Sequence, residues 1–384
     1  MDMVKSMKVE FYKHTLTEEC ITEISDTARN LFITTGPKTA LFETNFASYL
    51  GLPYSVGLMS CTHALHLAYK ALGIGEGDEV IVPAYTFMAT ISPVIHAGAK
   101  PVLVDVNPDT GIIDPALIEK AVTKRTKAIS PVNLYGVMAP MLQIKEIADK
   151  YKLHIVEDSA HCVEGRGPGF GPGTLSDAAA FSFYATKNIT CGEGGALATN
   201  NEDVSKKVKI LRNHGMDRNA SERLKSNVQF YDIAEIGYKA NMTDLHASLL
   251  LPQLNQISDF WEKRDRIVRT YNNELKNIGG IATPIVPDGY KSAHHLYTIK
   301  VTPPDKRDTF VAEMNNLGVG CSINYRPLTE LSYISKVMSA KSSDYPNSTS
   351  IGNSVLTLPL YPSLKDAEVD QVIDTVKKIA NRLL

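Results

Sequence analysis

Three short stretches carry side chains whose types and spacing suit chemistry. In PheSerPheTyrAlaThrLysAsn (181–188), followed by CysGlyGluGlyGlyAla (191–196), Lys187 comes just after an apolar run and just before a glycine-flanked loop. A lysine held out of water there loses basicity, and its free amine can condense with an aldehyde to form an imine. The same pattern also describes a solvated surface lysine next to a tight turn. In HisIleValGluAspSerAlaHis (154–161), an apolar run ends in two adjacent carboxylates. Either one can pair with a protonated ring nitrogen and make that ring an electron sink. Successive side chains of a strand face opposite ways, so Glu157 and Asp158 cannot both serve one cleft; a helix N-cap at Asp158 is the competing reading. In MetSerCysThrHisAlaLeu (59–65), small hydroxylated residues open a helix whose free N–H groups, with the hydroxyl of Thr62, suit a phosphate. An ordinary N-cap has the same sequence.

These stretches sit in a regular rhythm. Apolar, β-prone runs at 54–59, 79–83, 101–105, 128–132, 154–157, 179–183 and 196–199 alternate with helical patterns. That alternation predicts an α/β fold with a mainly parallel, seven-stranded sheet between helices. Ser60 caps a helix with Ala64, Leu67, Ala68, Ala71 and Leu72 on one face, and the glycines of 73–78 end it. Beyond about residue 255 the pattern changes to a long polar helix, a strand near 295–301, a helix at 305–317 and a strand near 319–325. A last amphipathic helix carries Val369, Val372, Ile373, Val376 and Ile379 as one stripe. This gives an N-terminal arm and large domain over 1–254, and a smaller α+β domain over 255–384. A ligand is expected in the crevice at the carboxyl ends of the strands.

The 384 residues are 43% hydrophobic and 21% charged, with a formal net charge of -2. That balance offers no broad basic face for nucleic acid or an anionic membrane. The N-terminus lacks an apolar signal core and no stretch has the roughly 20 apolar residues of a membrane span, so the cytoplasm is the expected compartment. Five scattered cysteines without CxxC spacing predict reduced thiols, neither a disulfide framework nor a metal site.

Taken in order along the chain, several stretches resemble the DegT/DnrJ/StrS sugar aminotransferases. They are GlyPro (36–37), PheGlu (42–43), AlaLeuHisLeu (64–67), 77–90, AlaGlyAlaLysProValLeuValAsp (97–105), LeuTyrGly (134–136), GluAspSerAlaHis (157–161), 181–188, GlyGluGlyGlyAla (192–196), HisLeuTyr (295–297) and LeuProLeuTyr (358–361). The resemblance implies the aspartate-aminotransferase fold type (fold type I) and pyridoxal 5'-phosphate as cofactor. It makes Lys187 the lysine that carries the cofactor as a Schiff base, Asp158 the partner of the ring nitrogen and Phe87 the ring stacked on it. It places Cys61, Thr62 and Ser182 at the phosphate and His161 beside the ring hydroxyl. Three departures stand out: Cys61 replaces a glycine of the phosphate cradle; Lys239 and Asn241 stand where many relatives have Asn and Arg; and Asn324 and Thr329 replace histidines near the sugar.

From the resemblance, Lys239 is expected to reach the phosphate held by a second subunit, so that a homodimer shares its sites. Asn324, Tyr325 and Arg326 are the expected substrate contacts. The implied reaction moves an amino group from an amino acid, L-glutamate, to a keto-sugar linked to a nucleotide. Two other readings remain: a sugar dehydratase, against which the presence of Lys187 argues, and a catalytically silent cofactor-binding regulator, for which no DNA-binding extension is visible.

Overall fold

The computed structural model describes residues 8–217 and 230–384. Its large sheet is built from β1 (Tyr54–Leu58), β2 (Glu79–Pro83), β3 (Lys100–Val104), β4 (Thr126–Ile129), β5 (His154–Asp158), β6 (Ala178–Ser182) and β7 (Gly195–Thr199). These are the seven expected strands, in the order β1-β7-β6-β5-β4-β2-β3. β2 through β6 pair in parallel, while β7 runs antiparallel to both β1 and β6. The helices alternating with them are α1 (Glu18–Arg29), α2 (Pro37–Leu50), α3 (Cys61–Ala71), α4 (Met88–His96), α5 (Pro115–Ala121), α6 (Met141–Tyr151) and α7 (Glu202–Leu211).

Helices cover both faces, which is why the strands read as near-continuous apolar runs. The pleat sorts the side chains of β2: Val80 and Val82 enter the core with Leu65, Leu67 and Ala68 of α3, whereas Ile81 joins Ile129, Ile144 and Ile155 on the other face. Ser60 caps α3 by accepting from the His63 amide. Parallel strands end at one edge of a sheet, so the turns after β1, β2, β5 and β6 meet there.

Two helices follow, α8 (Asp244–Asn255) and α9 (Ile257–Leu275), the second being the expected long polar helix. A second sheet of β8 (Ile281–Ala282), β9 (Tyr297–Val301) and β10 (Val355–Leu358) is antiparallel in the order β10-β9-β8. Around it lie α10 (Arg307–Asn316), α11 (Ser332–Met338), α12 (Pro346–Ser354) and α13 (Asp366–Leu383). The α13 stripe of Val369, Val372, Ile373, Val376 and Ile379 is buried as expected. Val9 packs into that same core and pairs with Val319. No helix among the described residues is long and apolar enough to cross a membrane.

The strand expected near 319–325 does not form. The segment makes only isolated bridges, Val319 to Val9 and Ser322 to Thr357. Its next backbone groups go to side chains of the large sheet's loops instead: the Tyr325 amide donates to Tyr85 Oη at 2.9 Å, and the Asn324 carbonyl accepts from the Tyr85 and Tyr135 hydroxyls. A β-prone composition has thus been used to bring Asn324 and Tyr325 against the edge where the parallel strands end.

Candidate active site

At that edge lies a cavity of about 530 Å3, within the range of small-molecule sites. The ends of β1, β2, β5 and β6 all contribute to its wall. Ser60, Cys61 and Thr62 come from the start of α3, Thr86 and Phe87 from the turn after β2, Asp158 and His161 from the end of β5, and Ser182 and Lys187 from the end of β6. The second part of the chain closes the wall with His295, Leu296, Asn324 and Tyr325.

Lys187 is half-buried in this wall, and desolvation pulls its amine down to about 8 while Cys61 and Asp158 pull it the other way. Its Nζ lies 3.5 Å from His295 Nε2. Its loop is fixed from behind, because the Asn188 amide side chain donates to Glu164 at 2.9 Å and to the Ala293 carbonyl at 2.8 Å. Glu164 in turn holds the buried Arg264 of α9. The lysine is thereby set on an ordered support, not on a solvated loop.

Asp158 ends β5, and no helix begins there, so the N-cap reading of this residue fails. Oδ2 accepts from Thr90 Oγ1 at 2.7 Å. Oδ1 accepts from the Ala160 amide at 3.2 Å and lies 3.8 Å from Cys61 Sγ. Burial raises its pKa while these donors pull it back. Glu157 faces the other way, as strand alternation requires. It accepts from Gly173 N, Ser176 Oγ and Asn133 Nδ2 at 2.9, 2.7 and 2.9 Å.

His161 Nδ1 accepts from the Tyr135 amide at 3.3 Å, and its Nε2 is 3.0 Å from Tyr325 Oη. Burial pushes its pKa well below the usual imidazole value, so the ring is neutral. An amide N–H can only donate; the proton of the neutral ring therefore sits on Nε2 and points to the tyrosine. The Phe87 ring is 57% exposed, and its centroid is 5.4 Å from that of Tyr325.

The residues fit the expected cofactor. The Cys61 and Thr62 amides open α3 and have no partner inside the helix, which suits a phosphate. Gly195 presses on that turn: a side-chain carbon there would come within 2.3 Å of the Ser60 carbonyl carbon, so only glycine lets β7 lie against the cradle. Asp158 offers a buried carboxylate to a ring nitrogen, and Phe87 offers an aromatic face.

Two expected contacts are not part of this wall. Arg326 does not line the cavity and lies 3.7 Å from Glu330, with 61% of its side chain exposed. Lys239 is exposed on the stretch that pairs with Asn213 and does not line this chain's cavity. Thr90, His295 and the Tyr85–Tyr135 pair were not singled out from the sequence. Partners of Thr90, His295 and Tyr85 lie 68, 108 and 240 residues away, and the only signal was that all four residues fall within family-like stretches.

Residues 14–377 match the model of the DegT/DnrJ/EryC1/StrS aminotransferase family. Spore coat polysaccharide biosynthesis protein SpsC of Bacillus subtilis is 39% identical over 94% of each chain. UDP-4-amino-4-deoxy-L-arabinose--oxoglutarate aminotransferase of Shewanella sediminis is 32% identical over 95% of this chain and 96% of its own. Among solved structures, the putative sugar aminotransferase Spr1654 from Streptococcus pneumoniae in its PMP form superposes with a TM-score of 0.93. The two are 34% identical, with 98% of this chain and 100% of that one covered. A chain aligned over this length, with these side chains at the edge of its sheet, is a pyridoxal-phosphate-dependent aminotransferase and belongs to the DegT/DnrJ/EryC1/StrS aminotransferase family.

Proposed function

We propose that the chain moves an amino group from L-glutamate to a nucleotide-linked keto-sugar, in the making of an amino sugar, with Lys187 as the Schiff-base lysine. The observation that carries this reading is the half-buried Lys187 amine, lowered to about 8, in one cavity with Asp158. The sugar and the amino donor are supported by the relatives' names, two of which specify a sugar aminotransferase and an oxoglutarate aminotransferase.

The bound cofactor supplies an aldehyde that holds the amino group and a pyridine ring that accepts electron density. The chain's own residues do the rest. Lys187 Nζ, as a free amine beside the bound donor, would remove the proton from the donor's α-carbon and later deliver one to the carbon being aminated. An amine with a pKa near 8 exchanges protons readily near neutral pH, which an ordinary lysine does not. Asp158 stays anionic and keeps the ring nitrogen protonated. The first amides of α3, with Thr62 and Ser182, hold the phosphate; Phe87 covers a ring face and excludes water; His161 and Tyr325 orient the ring's oxygen edge. Asn324 and Tyr325 line the acceptor's side, where this chain lacks the histidines of relatives.

The site is completed in a homodimer by Lys239 of a second copy, whose ammonium reaches the phosphate as a point charge. Support comes from the exposure of Lys239 together with the apolar Ile233 and Ile236, the latter 87% exposed on the same stretch.

The test is spectroscopic. The visible band of the lysine-linked cofactor is expected to fade on adding L-glutamate and to return only with particular nucleotide-linked keto-sugars, while Lys187→Ala has neither the band nor turnover. A band that ignores every amino donor would sink the proposal.

A further inference from the structure

Asp158 does not meet the cavity alone. Thr90 Oγ1 is 2.7 Å from Asp158 Oδ2, and Thr86 Oγ1 is 2.7 Å from Thr90 Oγ1. Both threonines are buried, at 0% and 2% exposure. A carboxylate can only accept, so Thr90 spends its one proton on Asp158 and must itself accept from Thr86. The direction of the chain Thr86 to Thr90 to Asp158 is therefore fixed. It also spans Phe87: Thr86 immediately precedes that residue, and the Thr90 amide donates to the Phe87 carbonyl at 3.1 Å in the opening turn of α4.

We infer that Thr86 and Thr90 are positioning residues whose paired hydroxyls keep the Asp158 carboxylate ionised and hold it in register with the Phe87 ring. The inference rests on the reading of Asp158 as partner of the cofactor's ring nitrogen. Thr90 is the shortest of the donors to a carboxylate that burial works to neutralise, the others being Ala160 N at 3.2 Å and Cys61 Sγ at 3.8 Å. Removing that hydroxyl leaves the burial and takes away the strongest opposing donor, so the carboxyl gains its proton at a higher pH. Cofactor binding should then weaken, and weaken further as pH falls. A threonine that merely fills space would lack this pH signature.

The experiment measures the dissociation constant for pyridoxal phosphate between pH 6 and 8.5 in wild type, Thr90→Val, Thr90→Ser, Thr86→Val and Asp158→Asn. The ratio to wild type cancels titrations they share. Thr90→Val is expected to bind about tenfold more weakly at pH 8, with the ratio growing toward pH 6. Thr90→Ser keeps the hydroxyl and should stay within about twofold, remaining informative even if the valine variant fails to fold. Thr86→Val shifts the same way by less. A Thr90→Val ratio that is flat across pH, or a Thr90→Ser as weak as Thr90→Val, overturns the relay. If Asp158→Asn loses affinity while Thr90→Val does not, only the relay falls. If Asp158→Asn binds and turns over as wild type, the underlying role of Asp158 falls with it.

Discussion

Glu157 and Asp158 are consecutive, acidic and almost equally buried, at 0% and 5% exposure, yet the two faces of β5 use them differently. On the closed face, Glu157 is saturated by a backbone amide, two hydroxyls and a carboxamide, with Ser159 the weakest contact at 3.4 Å. It ties the 173–176 turn to Asn133 and needs nothing more. On the open face, Asp158 has fewer and longer contacts beyond Thr90 and borders the cavity that holds Lys187. Burial raises the pKa of both carboxyls, so a perturbed carboxyl does not by itself mark a site. What separates them is acceptor capacity left over beside a cavity.

The sharpest way to break that contrast is to neutralise each carboxylate in turn. Asp158→Asn is expected to lower turnover by about 10^3-fold, while its melting temperature stays level or rises, because a buried charge is removed without loss of volume. Glu157→Gln should do the reverse: turnover per folded molecule is kept and urea unfolding shows a loss of about 1–3 kcal/mol from broken donor contacts. A stable Glu157→Gln without activity would erase the distinction.

Lys187, on the open face, sharpens it further through pH. With an amine pKa of about 8, the rate at which apoenzyme takes up pyridoxal phosphate should climb about tenfold per pH unit below that value and level off above it. A rate still climbing at pH 10 would mean an ordinary solvated lysine. The linkage has the matching sign. The amine's pKa is lower folded than unfolded, so the unfolded chain binds the proton more tightly, and stability from this group falls as pH drops from the usual lysine value toward 8. The smallest effect belongs outside the wall: Arg326→Ala should change KM for the acceptor by less than about twofold, since its exposed pairing with Glu330 is of the weak surface kind.

Much of the large sheet was legible because parallel strands buried on both faces leave unbroken apolar runs. EVIVP at 79–83 matches β2 residue for residue. The order of strands and the reversal of β7 were not legible, since pairing is decided between segments far apart. The same division runs through the site. Lys187, Asp158 and Thr62 are marked by what precedes or follows them locally, a strand end or a helix start. The hydroxyl chain through Thr90, the His161–Tyr325 bond and the contact of Lys187 with His295 join residues 68, 164 and 108 positions apart and leave no local trace. Residues 319–325 show the converse error: a strand-like composition whose amide and carbonyl groups are claimed by Tyr85 and Tyr135.

The clasp at Val9 sets an order of assembly. Its amide donates to the Gly318 carbonyl and its carbonyl accepts from the Gly320 amide, both at 2.8 Å. On a ribosome adding roughly 5–20 residues per second, these partners emerge roughly 15–60 s after Val9 does. Every strand of the large sheet, which ends at Thr199, is made within that interval. The second core therefore closes after the strands of the large sheet are made, when a residue made before them meets partners made after them.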